Sequence, residues 1–328
     1  MTSRTIARDE VALAMRASSP LSARRQRAVT AVLAFASICG SFMQTLVLPV
    51  QAALPELLHT GREETAWVIT ATSLTGAVVT PIAGRIGDMF GKLRVVIGLL
   101  GFMVLGSVIA AFSTEIVGLV IGRSLQGFVL GIVPVAMSIL RDTLPAERIS
   151  GGVALVSASV GIGAALGLPL SATIMTVADW HLIFWLSVGL GGLSLLLVLL
   201  VVPPSTGTVR GRFDVPGAVG LAVGLSGVLL AISWLHVWGW TSPLTLAFGG
   251  GGLLVLVLWG WYETRVASPI ADLRLMVRPR VLLANLCSMT TGFAFFSCIV
   301  TVPQILELPV GLGSGLGLDV LASAVIVM

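Results

Sequence analysis

The chain contains little charge for its length. Of its 328 residues, 10% are Asp, Glu, Lys or Arg, whereas 56% are hydrophobic. A soluble domain carries about 25% charged residues, so this chain has too few polar side chains to cover itself in water. The composition excludes an ordinary soluble protein and places the chain in a lipid bilayer.

Cysteine and histidine are also scarce. The three cysteines lie in apolar runs, and no CxxC or Cys/His spacing of the kind that holds a metal is present. A membrane-embedded enzyme would need intramembrane Ser/His pairs, paired acids or metal ligands, whereas the three histidines are scattered over separate loops. We therefore expect no catalytic residue, no metal and no cofactor. The residues concerned are Cys39, Cys287, Cys298, His59, His181 and His236.

Nine apolar runs are each near the roughly 20 residues that cross a bilayer as a helix. A tenth run begins near Leu316 and is incomplete at Met328. This pattern predicts an all-α fold, a polytopic membrane helix bundle with nine full spans and part of a tenth. The nine runs are 29–50, 67–83, 95–112, 116–139, 152–177, 182–202, 216–235, 244–262 and 282–306.

Nearly all of the 19 cations fall on one side of the predicted membrane, and Arg62 alone lies on the other. Cytoplasmic loops carry an excess of Lys and Arg, so we predict a multi-pass protein of the cell membrane with a cytoplasmic N-terminus. The net charge of +4 does not indicate a nucleic-acid partner, because no basic patch is interleaved with aromatic residues. The basic N-terminal tail contains Arg4, Arg8, Arg16, Arg24, Arg25 and Arg27.

The segment 84–94 lies between the second and third runs, and its glycines predict a tight turn between antiparallel helices. It resembles the loop signature of the major facilitator superfamily, G-x-x-x-D-x-x-G-[RK]-[RK]. Leu93 stands in place of the last cation, and Arg94 restores the charge one residue later. An ordinary basic loop would not explain the glycine spacing. The matching residues are Gly84, Asp88, Gly91 and Lys92.

The fourth run contains Gly122-Arg-Ser-Leu-Gln-Gly127, which resembles the fourth-helix motif R-x-x-Q-G of the same superfamily. A charge in mid-membrane costs at least about 2.5–3.5 kcal/mol and marks a candidate functional site. The resemblance implies that Arg123, with Gln126 and Gly127, belongs to the transport machinery, and that Arg123 faces a central cavity and takes part in proton coupling. The alternative is an arginine that snorkels from a helix end.

The fifth run contains Gly163, Gly167 and Pro169, in partial agreement with the antiporter motif G-x-x-x-G-P-x-x-G-G. The proline comes one residue late. A G-x-x-x-G pair lets a neighbouring helix approach closely, and plain helix packing also explains it. Following two other motifs, it favours export over uptake.

The segment 180–185, Trp-His-Leu-Ile-Phe-Trp, resembles the start of the sixth helix in the fourteen-helix drug:proton antiporter branch, which inserts two extra helices between its six-helix halves. The resemblance implies that Asp88 meets a helix of the second half, and that Asp142 pairs with Arg85 or Lys92. The predicted organisation is a basic cytoplasmic tail (1–28), an N-terminal six-helix half (29–202), a linker with the two extra helices (203–281) and the incomplete start of the C-terminal half (282–328).

One departure from the branch concerns proton coupling. Many members carry an Asp in the first helix, nine residues before an Ala-Leu-Pro ending. That ending is present at 53–55, but position 46 is Leu. Gln44 and Gln51 are the strong polar groups of this helix, and a neutral amide cannot load and release a proton. Coupling therefore uses another group, or this subgroup couples differently.

The resemblance implies a proton-coupled exporter of small, amphipathic or cationic compounds, monomeric at full length. Its expected partners are the small-molecule substrate, protons and the lipid bilayer. A fourteen-helix relative has more helices than this chain supplies, and the chain ends within an apolar run. The alternative is therefore a truncated, transport-inactive membrane fragment or a pseudogene product of such an exporter.

Overall fold

A computed structural model of the chain describes residues 22–51, 53–204, 212–308, 310, 315–318, 322–323 and 326. Within these ranges, nine helices are long and apolar enough to cross a membrane, as the sequence predicts. Most of the tail and of the tenth run lies outside the described residues. The helices are α1 (Ala23–Gln51), α2 (Arg62–Phe90), α3 (Lys92–Ala111), α4 (Ile116–Thr143), α5 (Ala146–Val177), α6 (Leu182–Val201), α7 (Val215–Trp238), α8 (Pro243–Glu263) and α9 (Pro279–Glu307).

Several helices extend beyond the apolar runs that predict them. The first begins before residue 29, because Ser22 Oγ accepts a hydrogen bond of 3.4 Å from the backbone N–H of Arg25 and caps the helix. The second begins before residue 67, and Glu63 and Glu64 lie in its first turn, where the helix dipole favours negative charge. Hydropathy marks the part of a helix that lies in hydrocarbon, whereas capping residues set where the helix ends.

The helices α1 to α6 share one apolar core. Leu33 of α1, Leu100 of α3, Ile132 of α4 and Phe184 of α6 all belong to it and are at most 1% exposed. In contrast, only 6% of the most apolar window of α8 or α9 is buried, against 67% for α1. The first six helices therefore pack as one bundle. The domain limits drawn from the sequence stay a prediction.

The hairpin of α7 and α8 packs on α2. Ile82 of α2 lies against the small core of Ala218 and Ile270, and the rings of Trp67 and Trp234 are 5.3 Å apart. These contacts attach the hairpin to the six-helix bundle at both ends of α2.

The turn between α5 and α6 is fixed by polar contacts. The backbone N–H of His181 donates to Asp179 Oδ1 over 2.8 Å, and its ring Nε2 lies 3.0 Å from the carbonyl oxygen of Ser113. The hydrogen bonds from the backbone and ring of His181 hold the pKa of Asp179 below its ordinary value. The contact between the His181 ring and Ser113 joins this turn to the turn between α3 and α4.

Candidate functional site

Arg123 is enclosed by the bundle and is 2% exposed. Its Nε donates to the carbonyl oxygen of Val68 in α2 (3.2 Å), and its Nη1 donates to the carbonyl oxygen of Met43 in α1 (3.3 Å) and to Gln126 Oε1 (2.8 Å). None of these acceptors is a carboxylate. The low exposure of this side chain and its bonds within the bundle favour the buried arginine of the motif over the snorkelling alternative.

Arg123 and Gln126 also form hydrogen bonds with two residues outside the motif, Ser107 and Thr72. We refer to these four residues as the arginine network. Gln126 Nε2 donates to Ser107 Oγ of α3 over 2.7 Å. Thr72 Oγ1 of α2 donates to the carbonyl oxygens of Arg123 (3.0 Å) and Val68 (3.2 Å). The network therefore links α1, α2, α3 and α4. A hydroxyl inside an otherwise apolar run is the only sequence signal that could have identified Ser107.

Gly127 stands where α4 changes from α-helix to a 3₁₀ turn over Gly127–Gly131. A Cβ there would lie 2.5 Å from the carbonyl oxygen of Thr72 and 2.9 Å from Thr75 Cβ. Glycine is needed because the backbones of α2 and α4 almost touch beside Arg123. The R-x-x-Q-G motif thus combines a charge, its amide partner and a close helix contact.

A cavity of about 170 Å³ lies between α1, α4, α5 and α9, and Arg123 is not among its lining residues. The guanidinium of Arg123 is held instead by the carbonyl oxygens of Met43 and Val68, and its facing of a central cavity stays a prediction. None of the lining side chains carries a charge. The lining residues are Ser37, Gly40, Ser41, Gln44, Thr45, Val129, Leu130, Ile132, Val133, Val160, Ala164, Phe295 and Phe296.

The segment 84–94 is not one long turn. Helix α2 continues to Phe90, so Gly84 and Gly87 are helical, and the prediction of a turn across the whole segment is wrong. Gly91 alone makes the turn, at φ 103°, a conformation that side chains disfavour. The polar residues of the segment extend α2 and α3 because their side chains reach water beyond the hydrocarbon.

Lys92 holds the ends of three helices together. Its Nζ is 2.5 Å from Asp142 Oδ2 at the end of α4, 3.5 Å from the carbonyl oxygen of Ser138 and 4.0 Å from Asp88 Oδ1 on α2. The Lys92 side chain is 10% exposed, whereas the two acids are nearly half exposed. Of the two cations expected to pair with Asp142, the structure therefore selects Lys92. Arg94 is exposed.

Gly163 and Gly167 of α5 pack directly against α1. A Cβ on Gly167 would lie 2.9 Å from the carbonyl oxygen of Phe42 and 3.0 Å from the nitrogen of Leu46, and one on Gly163 would contact the carbonyl oxygen of Ile38. Pro169 lies inside the same helix. The glycine pair sets the distance between α1 and α5, two of the helices that line the cavity.

Replacing Gly167 with alanine should lower the thermal stability of the purified protein. The added methyl group meets backbone atoms that cannot move aside, and overpacking of this kind costs about 1–3 kcal/mol. Gly161→Ala is the matched control on the same helix, since a Cβ there meets nothing within 4 Å. Equal unfolding temperatures for the two variants, measured in detergent, would contradict the close α1–α5 contact.

Among the described residues, no three His, Cys, Asp or Glu side chains are grouped so that they could hold a metal ion. The polar features that the structure does bring together are the arginine network, the Lys92 contact and the cavity. The first two belong to helices α1 to α4, and α5 and α9 complete the walls of the third.

The sequence profile of the Major Facilitator Superfamily matches residues 33–328. The chain is 29% identical over 304 residues to the probable multidrug resistance protein EmrY of Escherichia coli, covering 89% of this chain and 58% of that protein. It is 29% identical over 279 residues to the putative multidrug resistance protein MdtD of Salmonella paratyphi A, covering 83% and 59%. An uncharacterized MFS-type transporter of Mycobacterium tuberculosis is 28% identical over 297 residues, with 88% and 42% covered. The chain thus spans about half the length of these curated relatives.

Solved structures with the same fold are more distant in sequence. The peptide transporter POT in complex with sulfate superposes with a TM-score of 0.60 at 17% identity, covering 95% of this chain and 67% of that one. The human organic anion transporter MFSD10 gives 0.51 at 16% identity, covering 92% and 84%. At these identities, the similarity establishes the helical arrangement alone.

Proposed function

Because the chain belongs to the Major Facilitator Superfamily, we propose that its protein exports small amphipathic or cationic compounds across the cell membrane in exchange for protons. Its relatives EmrY and MdtD bear the names of multidrug resistance proteins. The observation that carries the proposal is the cavity between α1, α4, α5 and α9.

The wall of this cavity is almost entirely apolar and partly aromatic. The hydroxyls of Ser37 and Ser41 donate to backbone carbonyls of α1, whereas Phe295 and Phe296 of α9 contribute rings whose centroids are 6.0 Å apart at 87°. Aromatic faces attract organic cations, and an apolar wall accepts an apolar body. A compound with an apolar body and one positive charge suits such walls.

The cavity must widen to take a substrate of this kind. At about 170 Å³, it is smaller than the roughly 300–1,000 Å³ of sites for drug-sized ligands. Gly163 and Gly167 hold α5 in close contact with α1, so these two helices form a fixed part of the cavity wall. We therefore propose that the cavity opens by movement of α9 away from the bundle. Rocking of one half against the other about a central site is how this superfamily alternates access.

The coupling proton and the orientation are part of the same proposal. We propose that the charge of Arg123, which donates to Gln126, takes part in coupling by repelling a cationic substrate or by acting on a carboxylate elsewhere in the protein. The guanidinium does not itself carry the coupling proton, since arginine is not deprotonated in proteins. The N-terminus is proposed to be cytoplasmic, since Lys92, Arg94 and Arg141 lie together at one end of the bundle. The transporter is proposed to act as a monomer.

Accumulation of ethidium, a lipophilic cation, tests the proposal in a bacterial strain that lacks its own exporters. Cells expressing the full product of the gene should accumulate less dye than vector controls, and a protonophore should remove the difference. Phe296→Ala should weaken efflux, because it takes one ring from the cavity. Phe293→Ala is the matched control, since that ring is 76% exposed and lies outside the cavity. Equal dye levels with and without the protein would overturn export of this class of compound.

A further inference from the structure

The ends of α7 and α8 bring two buried carboxyl groups together on the side of the bundle that carries Arg85. Asp214 precedes α7 and is 7% exposed, and Glu263 ends α8 and is 2% exposed. Among the residues that the structure describes, these are the only buried acids. We refer to Asp214 and Glu263 as the acid pair.

Each carboxyl group has one oxygen supplied with hydrogen bonds and one without. Asp214 Oδ1 accepts from the backbone N–H of Gly217 and from the hydroxyl of Tyr262, both at 3.0 Å. Glu263 Oε1 accepts from the backbone N–H of Ala271 at 2.8 Å, and the backbone N–H of Ile270 also interacts with this carboxyl group. The remaining oxygens, Asp214 Oδ2 and Glu263 Oε2, are buried and receive no hydrogen bond.

The two unsupplied oxygens face the same small space. Both lie within 3.0 Å of the point where a Cβ on Gly217 would stand, and the glycine leaves that space open. Two ionised carboxylates in such a position repel each other, and burial without a donor adds to the cost. A proton between the two oxygens would supply the donor that both lack.

With one proton on the acid pair, the net charge of the pair and Arg85 is zero. Arg85 of α2 interacts electrostatically with Glu263, and its buried Nε has no acceptor. One guanidinium, one carboxylate and one carboxylic acid together carry no net charge. Asp88 lines a second cavity of about 530 Å³ with Arg85 and Ile270, and its side chain is 43% exposed. Arg265, Asp272 and Arg274 line a cavity of about 340 Å³ beside Glu263 and are exposed, so water screens all four groups.

We propose that the acid pair is a proton-binding site, in which one proton is shared by Asp214 Oδ2 and Glu263 Oε2. The cavity beside Glu263 gives the proton a path to water. The site lies away from the cavity between α1, α4, α5 and α9, and the inference does not rest on the proposed export function.

The shared proton fastens the hairpin of α7 and α8. Glu263 holds the segment after α8 through Ala271, and the adjacent Ile270 packs against Ile82 of α2. Loss of the proton would leave two negative charges facing each other at this junction. Attachment of the hairpin to α2 therefore becomes weaker as the pH rises.

Infrared spectroscopy of the purified protein tests the site directly. At neutral pH in deuterated buffer, the wild type should give the carbonyl band of a buried protonated carboxylic acid. Glu263→Gln and Asp214→Asn should each remove it, because the new amide donates to the remaining carboxylate, which then ionises beside Arg85. Glu147→Gln, at an exposed acid, should leave the band unchanged. A wild type without the band, or a band that survives in either pair variant, would overturn the proposal.

Thermal unfolding at several pH values gives a second readout. The folded pair keeps a proton that the unfolded chain releases, so the unfolding temperature of the wild type should fall as the pH rises from mildly acidic to alkaline. The fall should be smaller in Glu263→Gln than in Glu147→Gln. Equal pH dependence in these two variants would contradict a shared proton.

Discussion

Replacing Arg123 with methionine is expected to reduce proton-driven efflux to the vector background without lowering the stability of the fold. The guanidinium is 2% exposed and its three acceptors are neutral. An enclosed charge without a counter-charge has a desolvation cost, and its removal offsets the loss of the hydrogen bond that Gln126 Oε1 accepts. Transport, in contrast, loses the charge that we assign to coupling. Ethidium efflux and the unfolding temperature of the same preparation measure the two effects.

Arg94→Met is the matched control for this substitution, because Arg94 is exposed and lies outside the network. Arg123→Lys should restore little transport, since an ammonium lacks the planar fork that reaches the carbonyls of Met43 and Val68 together. Efflux at the wild-type level in the methionine variant would mean that Arg123 has no role in coupling. A large loss of stability in that variant would assign the arginine to packing instead.

Removing the contact of Lys92 with Asp142 and Asp88 should have the second-largest effect on efflux. Lys92→Ala is expected to lower ethidium efflux about fivefold, because a loss of about 1 kcal/mol from one conformation shifts its equilibrium by that factor. The side chain joins Asp142 at the end of α4 and approaches Asp88 on α2, so its removal loosens the junction that Gly91 turns. Both acids are nearly half exposed, so water screens the contact and it contributes no more than about 1 kcal/mol. The unfolding temperature should therefore change little.

Exchanging the two charges separates the ion pair from the lysine itself. The double variant Lys92→Asp with Asp142→Lys should recover part of the efflux that either single variant loses, because the attraction is restored with its sign reversed. Arg141→Gln, at the exposed residue beside Asp142, should behave like the wild type. Full activity in Lys92→Ala would show that the contact has no part in gating.

Much of the fold could be predicted because lipid imposes a length on every apolar run. The nine runs became nine described helices for that reason. The ends of the helices could not be predicted, since capping by residues such as Ser22 and the continuation of α2 to Phe90 depend on side chains beyond the hydrocarbon. A run of polar residues between two spans therefore looked like a turn although only Gly91 makes one.

The direction in which a side chain points was harder to predict than its importance. The motif identified Arg123 and Gln126, but only the structure shows that their hydrogen bonds to α1, α2 and α3 place both in the interface between these helices. Their partner Ser107 carries no motif. Asp214 and Glu263 are far apart in the sequence, and only the packing of α7 on α8 brings them together.

The departure at position 46 acquires a physical meaning in the fold. Leu46 is fully buried, and its backbone nitrogen would lie 3.0 Å from a Cβ on Gly167. The position lies at the close contact of α1 and α5, where an apolar side chain fills space. The described part of the chain therefore places no carboxyl group at this contact, so we propose that the coupling proton is carried by a group elsewhere in the protein.

Proton movement in everted membrane vesicles tests the central claim most directly. Vesicles that contain the full product of the gene are energised until their interior is acidic, and ethidium is then added while an internal pH dye is read. Exchange of the cation for protons predicts an immediate release of protons from the vesicles, which Arg123→Met abolishes and Arg94→Met preserves. If ethidium releases no protons from wild-type vesicles, or releases as many from Arg123→Met vesicles, the account of a proton-coupled exporter is contradicted.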